Sequence, residues 1–545
     1  MRLILLAFLL MAASADARTL IVNANGITLT QEGEVRRFAM LLTGDDGRVE
    51  AVLPRGAKEP PLRQGDFRLD AKGATLLPGF IDAHGHLMGL GFRLTQLDLS
   101  ETTSLEDALA RVADAQGGPQ GSWLRGRGWN QVRWGQDFPT AADLDRVAPG
   151  RPVYLERVDG HAAWVNRAAL KAAGITAATK DPPGGRILRD GKGEPTGILI
   201  DSAMALVSAA MPPPTPLERD RALAAALRHL AEHGVTGLHD MGVTPEDWNL
   251  YRALGDSGRL TARITAYAAG LEAVDAIAPL GPTPWLYDDR LRLQGVKLYA
   301  DGALGSRGAF LKAPYADDPK NRGLRFLDDA RLQNLMSRTN FIGYQLAIHA
   351  IGDAANAQVL DAFTEIGNTY GRRFRNRIEH AQILDPADIP RFAALGIIAS
   401  VQPVHATSDR TMAEARLGPD RLAGAYAWNS LRKAGAALAF GSDAPVEPVN
   451  PFLGIAAAVT RDGWRMEEAL PVEAALAGFT VWAARAGLAD GRVGELVPGA
   501  WADFVLLDRN PLTAASDELA TIRVLETWVA GARVFQRPAA REPLR

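Results

Sequence analysis

Between Phe80 and Phe440 short apolar runs alternate with helical stretches, and this alternation restricts the fold more than any other feature of the chain. Strand-like runs fall at Phe80–Ala83, Val235–Leu238, Arg263–Tyr267, Gly295–Leu298, Gln345–Ile348, Arg377–Glu379, Gly396–Val401 and Ala437–Phe440. Stretches with helical periodicity, such as Arg219–His233, Ala354–Ile366 and Pro386–Leu395, lie between several of them. Strands alternating with helices build parallel sheets or barrels. Eight such units predict an α/β fold, a (β/α)8 TIM-like barrel with its active site at the C-terminal strand ends.

The flanking regions differ. "TLIVNANGITLT" and "RFAMLLTGDDGRVEAVLP" near the start match "GAWADFVLLD" and "TIRVLETWVAGARVFQ" near the end in strand-rich texture. One small β-sandwich made from both chain ends accounts for this. The stretch from Thr95 to Val207 is far too long for a strand–helix connection. It carries its own strand-like "RPVYLERVDGH" and four of the 11 tryptophans, so it reads as an inserted, lid-like subdomain. The expected order is a signal peptide over 1–17, sandwich over 18–78, first barrel strand over 79–94, insert over 95–207, barrel over 208–490 and sandwich again over 491–545. The leader reading rests on Arg2, the apolar run Leu3–Ala13 and small-x-small sites at Ala13–Ala15 and Ala15–Ala17. It implies an exported, periplasmic or secreted protein with no stable membrane insertion after cleavage.

A net charge of −3 gives no electrostatic case for nucleic acid. The chain has no cysteine, so any metal must be held by nitrogen and oxygen ligands. Candidates sit at the ends of the strand-like runs. "FIDAHGHLMG" places His84 and His86 on one face of a strand. "IHAIGD" ends on His349, "NRIEHAQ" on His380 and "GSDAP" on Asp443, while Lys297 lies inside the apolar "GVKLYADG". Taken singly, each has a structural alternative: a satisfied histidine, a buried lysine seeking a carboxylate, or an aspartate capping a helix. Four histidines and an aspartate, all at strand ends, together point to a metal site.

These motifs, with "LLPGFIDAHGHL", "GRGWNQVRW", "GALGSR" and "GAWADFVLLD", occur in family order from Leu76 to Asp508. The chain resembles the amidohydrolase superfamily, specifically the amidohydrolase 3 (YtcJ-like) group related to N-substituted formamide deformylase. The resemblance implies two divalent ions, zinc first among them. His84, His86 and Asp443 would hold one and His349 and His380 the other, with a carboxylated Lys297 bridging. It further implies hydrolysis of a non-peptide C–N bond, an amide or N-acyl group, by a hydroxide between the ions, with Asp443 as general base and acid.

Substrate contacts are expected from His161, Arg307, Trp129 and His405. His161 has an internal hydrogen bond as its structural alternative, Arg307 a protein carboxylate, and Trp129 a place in the subdomain core. The partner is a small-molecule amide, and a homo-oligomer stays open. The competing functions are a mononuclear deaminase or cyclic-amidine hydrolase, an esterase or lactonase on the same barrel, and a binding protein that has lost catalysis.

Overall fold

The computed structural model describes residues 17–538 except 116, 118–121, 136, 159 and 183–184. The expected leader falls almost wholly on residues 1–16, outside the described residues. The chain separates into two compact units: residues up to Leu90 together with Ala224 onward, and Gly91–Leu223.

The first unit contains the barrel. Its strands are β1 (Phe80–Gly85), β2 (Val235–Val243), β3 (Arg263–Ala269), β4 (Leu291–Tyr299), β5 (Gln345–Ala350), β6 (Arg377–His380), β7 (Ile398–Val401) and β8 (Ala437–Phe440). Each pairs in parallel with the next in chain order. All eight expected strands are present. β4 opens at Leu291, before the expected Gly295. Gly396 does not open β7; it ends the helix Ile389–Leu395 with φ 68°, a left-handed turn that glycine adopts without steric cost.

β1 and β8 close the barrel through the residues beyond them. Asp443 N donates to His84 O and His86 N donates to Ala444 O, both at 2.7 Å. The Asp82 carboxylate crosses the same seam, accepting from the backbone N–H of His84 and from the backbone and hydroxyl of Ser442. A Cβ on Gly441 would meet His84 N at 2.4 Å, so only glycine allows the two segments this approach.

Both chain ends contribute to one sheet. Thr75–Pro78 pairs antiparallel with Phe504–Leu507, within six strands that also include Asn25–Leu29 and Val524–Val529. A four-stranded sheet containing Thr19–Val22 and Met40–Thr43 supplies Ile21 and Leu41 to a core shared with Leu76, Phe504 and Trp528. Arg263, opening β3, makes a two-bond ion pair with Asp503.

The second unit is a six-stranded mixed sheet with helices that include Leu105–Asp114 and Ala141–Val147. Its apolar cores hold Trp123, Trp129 and Trp164. It is longer than the expected 95–207 because a helix crosses each boundary, Leu87–Thr95 at entry and Pro216–Glu232 at exit. Among the described residues no helix is long and apolar enough to cross a membrane.

Candidate active site

Parallel strands point their C-terminal ends to one rim, so residues at those ends converge however far apart they lie in sequence. His84 ends β1 and His86 follows it. Lys297 lies in β4, His349 in β5 and His380 at the end of β6, and Asp443 follows β8. The structure brings all six together. His86 Nε2 lies 3.0 Å and His84 Nε2 3.5 Å from Asp443 Oδ1. His380 Nδ1 is 4.0 Å from Asp443 Oδ2. Lys297 Nζ is 3.4 Å from His84 Nε2. The His380 ring centroid is 4.7 Å from that of His84 and 4.6 Å from that of His349. His380 and Asp443 adopt φ of 72° and 58°, conformations that cost a non-glycine residue about 1–3 kcal/mol.

The imidazoles are turned by partners that sequence reasoning missed. His84 Nδ1 donates to Glu379 Oε2 at 2.6 Å, His86 Nδ1 to Met241 O at 2.6 Å, and His380 Nδ1 to Gln402 Oε1 at 2.8 Å. Each bond commits Nδ1 as donor, so the neutral ring carries its lone pair on Nε2, the tautomer a metal ligand needs. Glu379 is itself gripped by Arg377 through two bonds, at 2.8 and 3.0 Å. Arg377 also donates to Ala83 O, Ser400 Oγ and His239 Nδ1. A readable signal existed: Arg377 and Glu379 stand two apart in the expected strand Arg377–Glu379, so both charges share one face.

Electrostatics favour neutral imidazoles at His84, His349 and His380; burial opposes a charge on His86 as well, but the bond and charge of Asp443 raise it above the ordinary histidine value. Burial, then repulsion from Lys297, pushes His84 down to about 4 and His349 down to about 3. Burial pushes Lys297 down to about 8. Burial opposes ionisation of Glu379, yet the Arg377 charge and the His84 bond hold it well below the usual carboxylate range. Asp443 is likewise ionised against its burial by the surrounding histidines. Lys297, the buried lysine in an apolar strand, has the imidazole of His84 as its hydrogen-bond partner rather than a carboxylate.

Two groups of donor atoms lie within 4.8 Å of one another: His84, His86 and Asp443, and His380, His405 and Asp443. The carboxylate shared by both groups, the committed tautomers of His84, His86 and His380 and the all-N/O donor set fit divalent ions. The second group differs from the expected pair of His349 and His380, because His405 stands among its donors. His349 Nε2 is turned towards Asp301 Oδ1 at 3.5 Å.

A pocket of about 350 Å³ opens over this cluster, lined by Tyr299, Leu304, Ile351, His405, Asp409, Met412, Val446 and Glu447. Of the four expected substrate contacts, only His405 lines it. Arg307 instead makes a two-bond pair with Asp317, the alternative of a protein carboxylate partner. Trp129 is fully buried in the second unit, its Nε1 donating to Leu155 O at 2.8 Å and its ring edge-on to Trp164, so it is a core residue and not a substrate contact. His161, in the same unit, bonds Asp201 Oδ1 at 2.7 Å through Nδ1.

A profile described as Amidohydrolase family matches residues 69–535. This chain belongs to the amidohydrolase family. YtcJ of Bacillus subtilis strain 168, named as an amidohydrolase, is 38% identical over 491 residues, covering 86% of this chain and 90% of the relative. N-substituted formamide deformylase of Arthrobacter pascens is 30% identical over 556 residues, covering 95% and 98%. A solved structure of a metal-dependent hydrolase from Pyrococcus furiosus superposes with a TM-score of 0.77 at 29% identity, covering 91% of this chain and all of that one. The amidohydrolase is thus a metal-dependent hydrolase that uses divalent metal.

Proposed function

We propose that this amidohydrolase cleaves the non-peptide C–N bond of an uncharged N-acyl amine. The observation that carries the reading is the convergence of four imidazoles, Lys297 and Asp443 beneath one pocket. His84, His86 and Asp443 would hold one ion, His349 and His380 a second, and a carboxylated Lys297 would join them. A lysine whose ammonium is disfavoured by burial presents a neutral amine, whose lone pair can attack the carbon of carbon dioxide and, on losing a proton, give the carbamate. Divalent ions held there, zinc foremost, would supply Lewis acidity towards an acyl oxygen and would bring the pKa of water from about 15.7 towards 7. Asp443, ionised and touching His86, accepts the proton of the attacking water and returns it to the leaving nitrogen, which departs poorly unless protonated.

The pocket argues for the substrate class. Leu304, Ile351, Met412 and Val446 offer apolar surface, while Asp409 and Glu447 are carboxylates. Apart from Lys297, no lysine or arginine lines it among the described residues. Nothing there would neutralise a substrate carboxylate, and like charges reject a partner. N-acyl amines should therefore exceed the matching N-acyl amino acids in kcat/KM by roughly tenfold or more, measured with simple esters as a third arm. A preference for the N-acyl amino acids would sink this reading.

Metal stoichiometry gives a separate check. Plasma emission spectrometry should find close to two ions per active chain, and Lys297→Ala should lose at least one of them along with turnover. A fully active protein holding a single ion would favour the deaminase-type site instead.

A further inference from the structure

We propose that His405 is a hydrogen-bond donor to the acyl oxygen of the substrate, aimed into the pocket by Gln382. The inference rests on the amide reading above and adds to it a residue that touches the reacting group. His405 opens the short helix His405–Ser408 just after β7, is 5% exposed, and lines the pocket with its ring stacked on His380 at a centroid distance of 6.3 Å.

Its position alone would allow a metal ligand, since a donor atom of His405 lies within 4.8 Å of those of His380 and Asp443. The hydrogen bonding decides otherwise. Gln382 Nε2 donates to His405 Nδ1 at 2.9 Å. An imidazole that accepts at Nδ1 carries its proton at Nε2 in the neutral form. This is the reverse of His84, His86 and His380, each of which donates from Nδ1. His405 Nε2 is fully buried and has no hydrogen-bond partner among the described residues. A buried N–H without an acceptor costs about 1–3 kcal/mol, a cost that a bound water, ion or substrate oxygen removes. The acceptor that reaches this place during catalysis is the acyl oxygen, drawn to the same cluster as it gains negative charge. A preorganised donor aimed there stabilises that charge without reorganising.

The test uses the metal-loaded full-length protein. His405→Ala should lower kcat/KM on N-acyl amines by on the order of 10²-fold with the metal content of the wild type. His405→Gln, which restores an N–H, should recover part of that loss. Gln382→Leu should cost less than His405→Ala, and the double variant should be no worse than His405→Ala alone, because Gln382 acts only through His405. Calorimetric binding of methylphosphonate, a tetrahedral anion, reads the same donor without turnover and should weaken in His405→Ala. Loss of metal in His405→Ala would make His405 a ligand and overturn the proposal. So would unchanged kcat/KM, or methylphosphonate affinity equal to that of the wild type. A wild type inert towards every amide that still binds methylphosphonate through His405 would overturn the substrate reading and leave the donor role standing.

Discussion

Asp443→Asn should lower turnover by on the order of 10²–10⁴-fold while the barrel stays folded. Asparagine keeps the shape of the side chain but can neither take a proton nor supply the charge that the surrounding histidines stabilise. The seam should survive the change. Its bonds run through Asp443 N, through Ala444 O and through Asp82 with Ser442, none of which the substitution touches. Steady-state kinetics must be paired with metal analysis, because Asp443 also stands among the donor atoms. A rate per bound metal equal to that of the wild type would remove Asp443 from proton transfer and leave it a ligand only.

Arg377→Leu should be the most destabilising single change near the site. The guanidinium is fully buried and pairs with Glu379, whose carboxylate is equally buried. Leucine would leave that charge uncompensated, at a cost of about 3–5 kcal/mol. It would also strand the acceptors Ala83 O, Ser400 Oγ and His239 Nδ1. Because Glu379 sets the tautomer of His84, metal affinity should fall by on the order of 10–100-fold as well. Denaturant unfolding with and without added zinc checks both effects. A variant with the wild-type midpoint and metal content would show that the pair contributes neither stability nor ligand orientation. Glu379→Gln separates the two consequences: it keeps a hydrogen-bond acceptor for His84 and removes the buried charge.

The barrel was legible because most of its strands are largely apolar runs buried on both faces, and such runs stand out between helices. The donors were legible for a related reason: His84, His349, His380 and Asp443 each fall at the end of a strand-like run, and parallel strands carry such ends to one rim. What the sequence hid was orientation. Nothing in a string of letters shows that His405 accepts at Nδ1 while His380 donates from it, since that depends on Gln382 and Gln402 arriving from neighbouring loops. Nor does it show that Met241 contributes a carbonyl rather than a side chain. Trp129 and Arg307 misled because rings and guanidinium groups serve cores and ion pairs as readily as substrates. The edges of the second unit were misplaced because helices, not loops, span them.

The seam between β1 and β8 has a consequence for how the protein comes off the ribosome. His84 and Asp443, neighbours in the finished barrel, are separated by most of the polypeptide. β1 therefore waits with one edge unsatisfied until the last strand emerges, and loop closure of that length is slow. The same late event delivers Asp443 to His84 and His86. A nascent chain truncated before this point lacks both the Asp443 N–H that bonds His84 O and the carboxylate that lies 3.0 Å from His86 Nε2.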